Sequence, residues 1–381
     1  MKQDTELRRA FERGTDALPF DVKRSLHRFH ASRSRRVAVR RVAAAAVALG
    51  IALLGLLVVW IARPNGPTPR TPLGRSGSPA SPSGTPVAPS GPTGTIAYMA
   101  ASGTGDASSV FAAQVQGGAP VAIGPQAYVD YPAWSPDGSR IAYGGGTDLS
   151  GSALFVANAD GSDARRIADR PVLGLSWSPD GNRIAYIGWD AQGETALYMV
   201  GADGSGDQKV LPGFWQSVSW NPDGQRLLLA GQPATVVGVN AAAGFDLYTV
   251  RPDGTDLVAL THGGGYEQFA TWSPDGSQIL FTRSDAFEDY AQDVYVMNAD
   301  GSNQRQLTTW AGVDSFPVWS PDGSWIAFAS DRDATPQEQA SNEGGVFSGI
   351  SMYVMRPDGS DVQRVFTGRE GQALLPGSWR S

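Results

Sequence analysis

The sequence predicts an all-β fold, a six-bladed β-propeller, carried behind a single transmembrane helix and a disordered linker. Three observations predict it. The signature Trp-Ser-Pro-Asp-Gly begins at Trp134, Trp177, Trp220 (with Asn221 for Ser), Trp272 and Trp319, at intervals of 43, 43, 52 and 47 residues. A period in this range marks stacked copies of one supersecondary unit. An Asp-Gly-Ser or Asp-Gly-Thr triplet follows each signature, at Asp160, Asp203, Asp253, Asp300 and Asp358. Two tight turns per unit imply four short strands. Finally, residues 42–62 run for 21 residues without a charge, long enough to span the ~30 Å hydrocarbon core of a bilayer.

Each element of the unit has a local reason. In Pro-Asp-Gly, proline presets its φ, aspartate bonds the nearby backbone, and glycine accepts a positive φ. A second strand follows as Arg140-Ile-Ala-Tyr, Arg183-Ile-Ala-Tyr, Arg226-Leu-Leu-Leu, Gln278-Ile-Leu-Phe or Trp325-Ile-Ala-Phe. The third is Leu154-Phe-Val-Ala, Leu197-Tyr-Met-Val, Leu247-Tyr-Thr-Val, Val294-Tyr-Val-Met or Met352-Tyr-Val-Met, and the fourth trails the Asp-Gly turn, as at 165–167, 306–308 and 364–366. Short, evenly spaced strands with turn residues between them are the pattern of propeller blades.

The two ends of the repeat region complement each other. Residues 94–98 match a second strand with no signature before it, and residues 376–379 match a first strand with nothing after it. The C-terminal strand is therefore expected to join the strands around Ile96, Val110 and Val121, giving six tryptophans and six blades. Closure hides the apolar sheet faces that an open stack would expose.

Four segments follow: a basic tail (1–41), a transmembrane helix (42–62), a linker rich in Pro, Ser and Gly (63–93) and the propeller (94–381). The tail holds 12 Lys/Arg against 5 Asp/Glu, with Arg33, Arg35, Arg36, Arg40 and Arg41 next to the span. By the positive-inside rule the N-terminus is cytoplasmic and the propeller extracytoplasmic. A cleaved signal peptide is the rival reading, but the exit of the span lacks small residues at the cleavage positions and a 41-residue charged region precedes it. The linker has almost nothing to bury and reads as a flexible spacer. The tail has room for short helices near 5–13 and 21–29. It reads as a topology-setting segment on anionic lipid, with a docking segment for a cytoplasmic partner as the alternative.

The motif Trp-Ser-Pro-Asp-Gly-x-x-Ile-Ala-Tyr/Phe, followed by Leu-Tyr-Val and Asp-Gly-Ser, resembles the propeller repeat of the TolB family, over about residues 94–381. The resemblance implies the propeller fold, which the same repeat builds in periplasmic Tol-Pal components, in mycobacterial-type lipoproteins and in propellers covering serine peptidases. The α/β domain that precedes the propeller in TolB has no counterpart here, so TolB's own partners do not carry over.

The residues present exclude several chemistries. The chain has no Cys in 381 residues, hence no disulfide framework, thiol nucleophile or lipid-attachment site. There is no Gly-x-Ser-x-Gly elbow. His262, the lone histidine of the repeat region, sits in Leu-Thr-His-Gly-Gly and reads as a turn residue. No His/Cys set has zinc spacing, and each Asp-Gly pair belongs to a four-residue turn rather than a calcium loop. The paired acids Glu288-Asp289 and Asp331/Asp333 read as solvated charge. The expectation is no enzyme, no metal and no cofactor. Residues 94–381 carry 15 Lys/Arg against 32 Asp/Glu, which argues against nucleic acid.

Function is expected where the repeat varies. Insertions fall between the second and third strands, at 231–244, 284–292 and 330–351, the last of them polar and flexible. They emerge beside the crossovers into each next blade, and loops on a rigid scaffold commonly carry binding groups. The candidate mouth comprises Asp130, Tyr131, Trp215, Gln216, Tyr266, Glu267, Gln268, Asp314 and Phe316. Such acids, amides and rings are expected to face solvent and take a protein, peptide or glycan of the envelope, with the packing of half of them between blades as the alternative. Replacing Trp215 or Glu267 is then expected to cost little stability. A sensor that couples binding to the tail is the alternative, and a hydrolase a more remote one.

Overall fold

The computed structural model describes residues 91–102, 108–123, 129–146, 153–189, 194–234, 244–263, 265–285, 291–343, 348–368 and 372–381. The tail, the 42–62 span and nearly all of the linker lie outside them, as does much of the three inserted loops. Among the described residues no helix is long and apolar enough to cross a membrane. Contacts divide the chain into Met1–Thr85 and Pro86–Ser381, and the second unit contains every described residue.

That unit is almost entirely β. Strands β1 (Thr95–Ser102), β2 (Ser108–Gln114) and β3 (Val121–Ile123) share a sheet with the C-terminal strand β23 (Gln372–Arg380), in the order β23-β1-β2-β3. A second sheet holds β4 (Val129–Trp134), β5 (Arg140–Gly145), β6 (Ala153–Asn158) and β7 (Arg165–Ala168). A seven-stranded sheet follows: β8 (Val172–Trp177), β9 (Arg183–Trp189), β10 (Thr195–Gly201), β11 (Gln208–Trp220), β12 (Leu227–Pro233), β13 (Asp246–Val250) and β14 (Val258–Ala259). The remaining sheets are β15 (Tyr266–Trp272), β16 (Gln278–Ser284), β17 (Asp293–Asn298), β18 (Arg305–Gln306), and β19 (Asp314–Trp319), β20 (Ile326–Ser330), β21 (Ser351–Met355), β22 (Gln363–Phe366).

The seven-stranded sheet is two four-stranded meanders sharing one strand. Gln208–Pro212 of β11 pairs with β10, and Gly213–Trp220 pairs with β12. The two halves pack against each other around Ile187, Leu197, Trp215 and Leu229, so β11 turns a corner at Gly213. A Cβ there would stand 2.5 Å from the Trp215 indole nitrogen, which is why glycine occupies it. Sequence analysis treats this junction as a crossover loop; the structure makes it continuous strand. A second difference lies in the insertion between β20 and β21. Expected to be flexible, it contains the helix α1 (Pro336–Glu343), begun by a capping box: Glu338 accepts from the Thr335 amide at 2.8 Å, and the Glu338 amide donates back to the Thr335 hydroxyl at 3.3 Å.

Strand interiors are buried on both faces, as at Ile141-Ala-Tyr and Ile184-Ala-Tyr-Ile, because each sheet is sandwiched between its neighbours. Apolar clusters join β1–β3 to β4–β5, β5–β7 to β8–β10, β12–β13 to β15–β17, and β16–β17 to β19–β21. The circuit closes where Trp325, Ala327, Met352 and Val354 of the last sheet meet Ile96, Tyr98, Leu374 and Trp379 of the first. As expected from the complementary chain ends, β23 pairs antiparallel with β1, Trp379 opposite Ile96.

Neighbouring units are fastened by repeated contacts around the signature tryptophans. The amides of Trp134, Trp220 and Trp272 donate to the hydroxyls of Ser378, Ser176 and Ser219 on the preceding inner strand, at 2.9, 3.0 and 3.4 Å. Guanidinium groups cover the rings: Arg380 over Trp134 at 3.9 Å, Arg140 over Trp177 at 4.8 Å and Arg183 over Trp220 at 5.2 Å. The turns are tied just as regularly. In the first signature the Ser135 hydroxyl donates to Asp137 at 2.6 Å and accepts from the Arg140 amide at 2.9 Å. Where Asn221 replaces serine, its carbonyl accepts from the Asp223 amide at 2.9 Å instead. Hydroxyl and amide donors hold Asp137 down at about 2 and lower Asp160, Asp180, Asp203, Asp253, Asp275, Asp300 and Asp358 as well.

Two outcomes follow from this arrangement. Deleting residues 374–381 removes the strand that closes the circuit and is expected to cost more than about 4 kcal/mol; Ser378→Ala, which removes one inter-unit bond, should cost only about 1 kcal/mol. Urea melts of the two variants check this, and a truncation as stable as the parent would refute closure through β23. Because the turn carboxylates have lowered folded-state pKa values, their stabilisation is present above the unfolded value of about 4 and is lost as pH falls through the folded values. Asp160→Asn and Asp203→Asn should accordingly be less stable than the parent at pH 7 and lose that difference in acid once the parent's carboxyls are protonated.

Candidate functional site: the central channel

The innermost strands β4, β8, β11, β15, β19 and β23 neighbour one another in sequence, and β23 returns to β4. Between them lies a cavity of about 260 Å³, lined by residues of all six, among them Leu173, Gln216, Phe269, Phe316, Pro317 and Pro376. Every one of these strands is bulged at this depth. Register breaks between Asp130 and Ala133, Val172 and Gly174, Trp215 and Ser217, Gln268 and Thr271, and Ser315 and Val318, and in β23 at Gly377. A bulge places an extra residue on one strand and re-aims its side chain. An inner strand has a ladder partner on its outer edge alone, so bulged residues such as Leu173 and Gln216 come to line the channel.

Two of the bulged residues are strained. Phe269 and Phe316 have φ of +52° and +54°. The other non-glycine residues of positive φ among the described ones are Asp163, Asp256, Asn303 and Asp361, of the types that tolerate it in turns. A phenylalanine held there costs roughly 1–3 kcal/mol and persists only where its surroundings over-determine it. Here the two rings stack at 3.9 Å between centroids and 28° between planes. They stand on adjacent inner strands, each three residues before its signature tryptophan. Strain of this kind concentrates at functional sites.

Of the nine residues expected at the mouth, Gln216 and Phe316 line the channel, and Gln268 is half-buried beside Phe269. Others belong to the wall. Trp215 is fully buried, edge-on to Tyr248 at 5.6 Å, and Tyr266 packs edge-on against Phe245 at 5.1 Å. Glu267 is fully buried and accepts hydrogen bonds from the Thr261 hydroxyl and the Arg283 guanidinium, which also donates to Gln304 at 2.7 Å. Asp314 is fully buried and accepts from Arg332 at 3.0 and 2.9 Å. Burial pushes both carboxyls upward while the arginines pull them down. Asp130 and Tyr131 have their backbone in β4; their side chains lie outside the described residues.

This corrects the solvent-facing placement of Trp215, Tyr266, Glu267 and Asp314. The acids sit inside arginine pairs, and the rings are packing. The small stability cost expected for replacing Trp215 or Glu267 is corrected with it, since truncating a buried tryptophan costs about 3–5 kcal/mol and breaking a buried ion pair a similar amount. Sequence reading missed Phe269, although aligning the repeats on tryptophan places it opposite Phe316. It also missed Trp189 and Trp310, which are 39% and 36% exposed where β9 ends and before β19 begins. Among the described residues no group of His, Cys, Asp or Glu is placed to hold a metal ion.

No protein-family model matches the chain, and no curated protein matches it in sequence. Solved structures do. TolB from Acinetobacter baumannii aligns with a TM-score of 0.61 at 19% identity, over 75% of this chain and 66% of that one. The fold is that of the TolB β-propeller. A putative TolB from Agrobacterium tumefaciens aligns with a TM-score of 0.52 at 20% identity, over 76% of this chain and the whole of the other. The present chain thus spans about two thirds of the Acinetobacter TolB. An oligogalacturonate lyase in complex with manganese, at a TM-score of 0.43 and 16% identity over 72% of this chain and 73% of its own, is too distant to bear on activity.

Proposed function

We propose that the chain is a non-catalytic binding module, a six-bladed TolB-like propeller that takes an extended peptide segment of an envelope protein into its central channel. The six blades follow from six inner strands, with β11 serving two of them. The observation that carries the reading is the strained Phe269–Phe316 pair. Ring crowding sets the bulge but not the residue type, since the positions three before Trp134, Trp177 and Trp220 are Tyr131, Gly174 and Ser217; a stacked aromatic floor in a bulged channel suits prolyl or aromatic side chains of a peptide. Glu267 and Asp314, the acids that would have engaged sugar hydroxyls or a cationic ligand, are committed to arginines, which favours a peptide over a glycan. The 42–62 stretch, flanked by its basic tail, anchors the module with the propeller extracytoplasmic.

Panning a random-peptide display library on the full-length chain is expected to yield binders of micromolar Kd. Phe316→Gly relieves the backbone strain as it removes the ring, so stability should change by less than about 2 kcal/mol while peptide affinity falls at least about tenfold. Selected peptides that bind a Phe269→Gly/Phe316→Gly variant as tightly as the parent would sink the channel assignment. Topology is read separately: protease added to intact spheroplasts should release a folded propeller, and protection of the propeller would overturn the orientation.

A further inference from the structure

The opposite face, formed by the Pro-Asp-Gly and Asp-Gly-Ser turns, carries a second concavity. It has a volume of about 1030 Å³ and is lined by Arg140, Arg165, Arg183, Arg226 and Arg251. Residues 94–381 hold only 15 Lys/Arg against 32 Asp/Glu, so a third of the cations of an acidic domain line one groove. Three aspartates also line it, and one carboxylate oxygen of each is drawn into its own turn. Asp203 accepts from the Ser205 amide and hydroxyl at 2.9 and 2.6 Å, Asp253 from those of Thr255 at 2.9 and 2.6 Å, and Asp223 from the Gln225 amide at 2.8 Å.

Three of the arginines make no ion pair within 4 Å among the described residues, although each lies near a turn carboxylate: Arg140 near Asp137, Arg165 near Asp203 and Arg183 near Asp180. Arg140 donates to the Gly181 carbonyl at 3.0 Å, Arg165 donates to the Ala202 carbonyl at 3.0 Å, and Arg183 lies over the Trp220 ring. Arg226 and Arg251 differ, sharing Asp256 at 2.7 and 3.5 Å. A guanidinium has five N–H donors, so one carbonyl bond leaves most of its capacity facing the groove. An arginine at the start of the second strand is not common to all units. The position six after the signature tryptophan is arginine in three successive units, at 140, 183 and 226, but Gln278 and Trp325 in the next two. The indoles beneath Arg140 and Arg183 fix their guanidinium planes in advance, which lowers the ordering cost of binding.

We propose that this groove is a binding site for an anion carrying several phosphate groups in series, independent of the channel. Three guanidiniums without an ion-pair partner, Arg140 and Arg165 on one unit and Arg183 on the next, call for at least three negative charges distributed along the ligand. A tetrahedral phosphate can take two guanidinium forks bidentately at once, whereas a planar carboxylate can take only one fork bidentately.

The test is calorimetric titration of the full-length chain with sodium tripolyphosphate at low salt. The expected result is one saturable site with a Kd below about 100 μM that weakens at least about tenfold when salt rises to about 0.3 M. Citrate, a carboxylate of similar charge, should bind at least about tenfold more weakly. Arg165→Gln/Arg183→Gln should lose at least about tenfold in affinity while its melting temperature stays within about 3 °C. Arg356→Gln, which removes a guanidinium stacked at 3.8 Å on Trp325 outside the groove, should bind as the parent does. Should the double variant fold poorly, Arg165→Gln alone serves, because Arg165 is exposed and holds no ring. No saturable tripolyphosphate binding up to about 1 mM, equal affinity for citrate, or undiminished affinity in the groove variants would each overturn the proposal. A channel that fails to bind peptides would leave these outcomes untouched.

Discussion

Nine residues at the C-terminus decide whether the rest of this molecule exists as a ring. β23 pairs with β1 along its whole length and supplies one inner strand, the cover for the β20–β21 sheet, and the serine that holds Trp134. Without it, a curved stack of sheets would end in two bare apolar faces. Closing the ring converts both into interior, and it does so with segments separated by almost the full length of the repeat region. The consequence is strong cooperativity bought with slow, non-local chain closure.

Closure also makes the channel possible. Six inner strands crowd around one axis, each with its ladder on the outer side only. Bulges relieve that crowding and bring extra residues to the axis. Where two of them are phenylalanines, the ring imposes a backbone geometry neither would adopt alone. At Gly377 the same crowding forbids any side chain, since a Cβ would stand 2.3 Å from the Pro132 carbonyl of the neighbouring strand. Tight approach, strain and cavity are thus one phenomenon expressed at different positions of the repeat.

Much of the fold was legible because it is written several times over. Tryptophan spacing, Pro-Asp-Gly turns and Ile-Ala-Tyr runs are local signals, and repetition averages out their ambiguity. The complementary fragments at 94–98 and 376–379 even revealed which strand closes the ring. The site was less legible, for a physical reason. Acids and rings in crossovers look alike whether they face solvent or pack into the wall. Burial of Glu267 and Asp314 depends on Arg283 and Arg332, which lie 16 and 18 residues further on, in the next strand or just beyond it. Bulges leave no signature in composition, so Phe269 read as an ordinary strand residue. The guanidinium groove escaped because each of its arginines looks, within its own repeat, like a routine cation at a strand end. Only the pairing pattern across units separates Arg183 from Arg226.

One feature breaks the equivalence of the units. Between β7 and β8 and between β18 and β19 the chain leaves the rim of one sheet, crosses a loop and re-enters at the axis. Along β11 it stays in strand conformation: Gln208 borders the arginine groove and Gln216 borders the channel, joined by eight residue steps over which the ladder passes from β10 to β12 at Gly213. A loop absorbs displacement by rotating its dihedrals; a paired strand passes it on. Among the described junctions, β11 is thus the one in which strand and not loop links the two concavities.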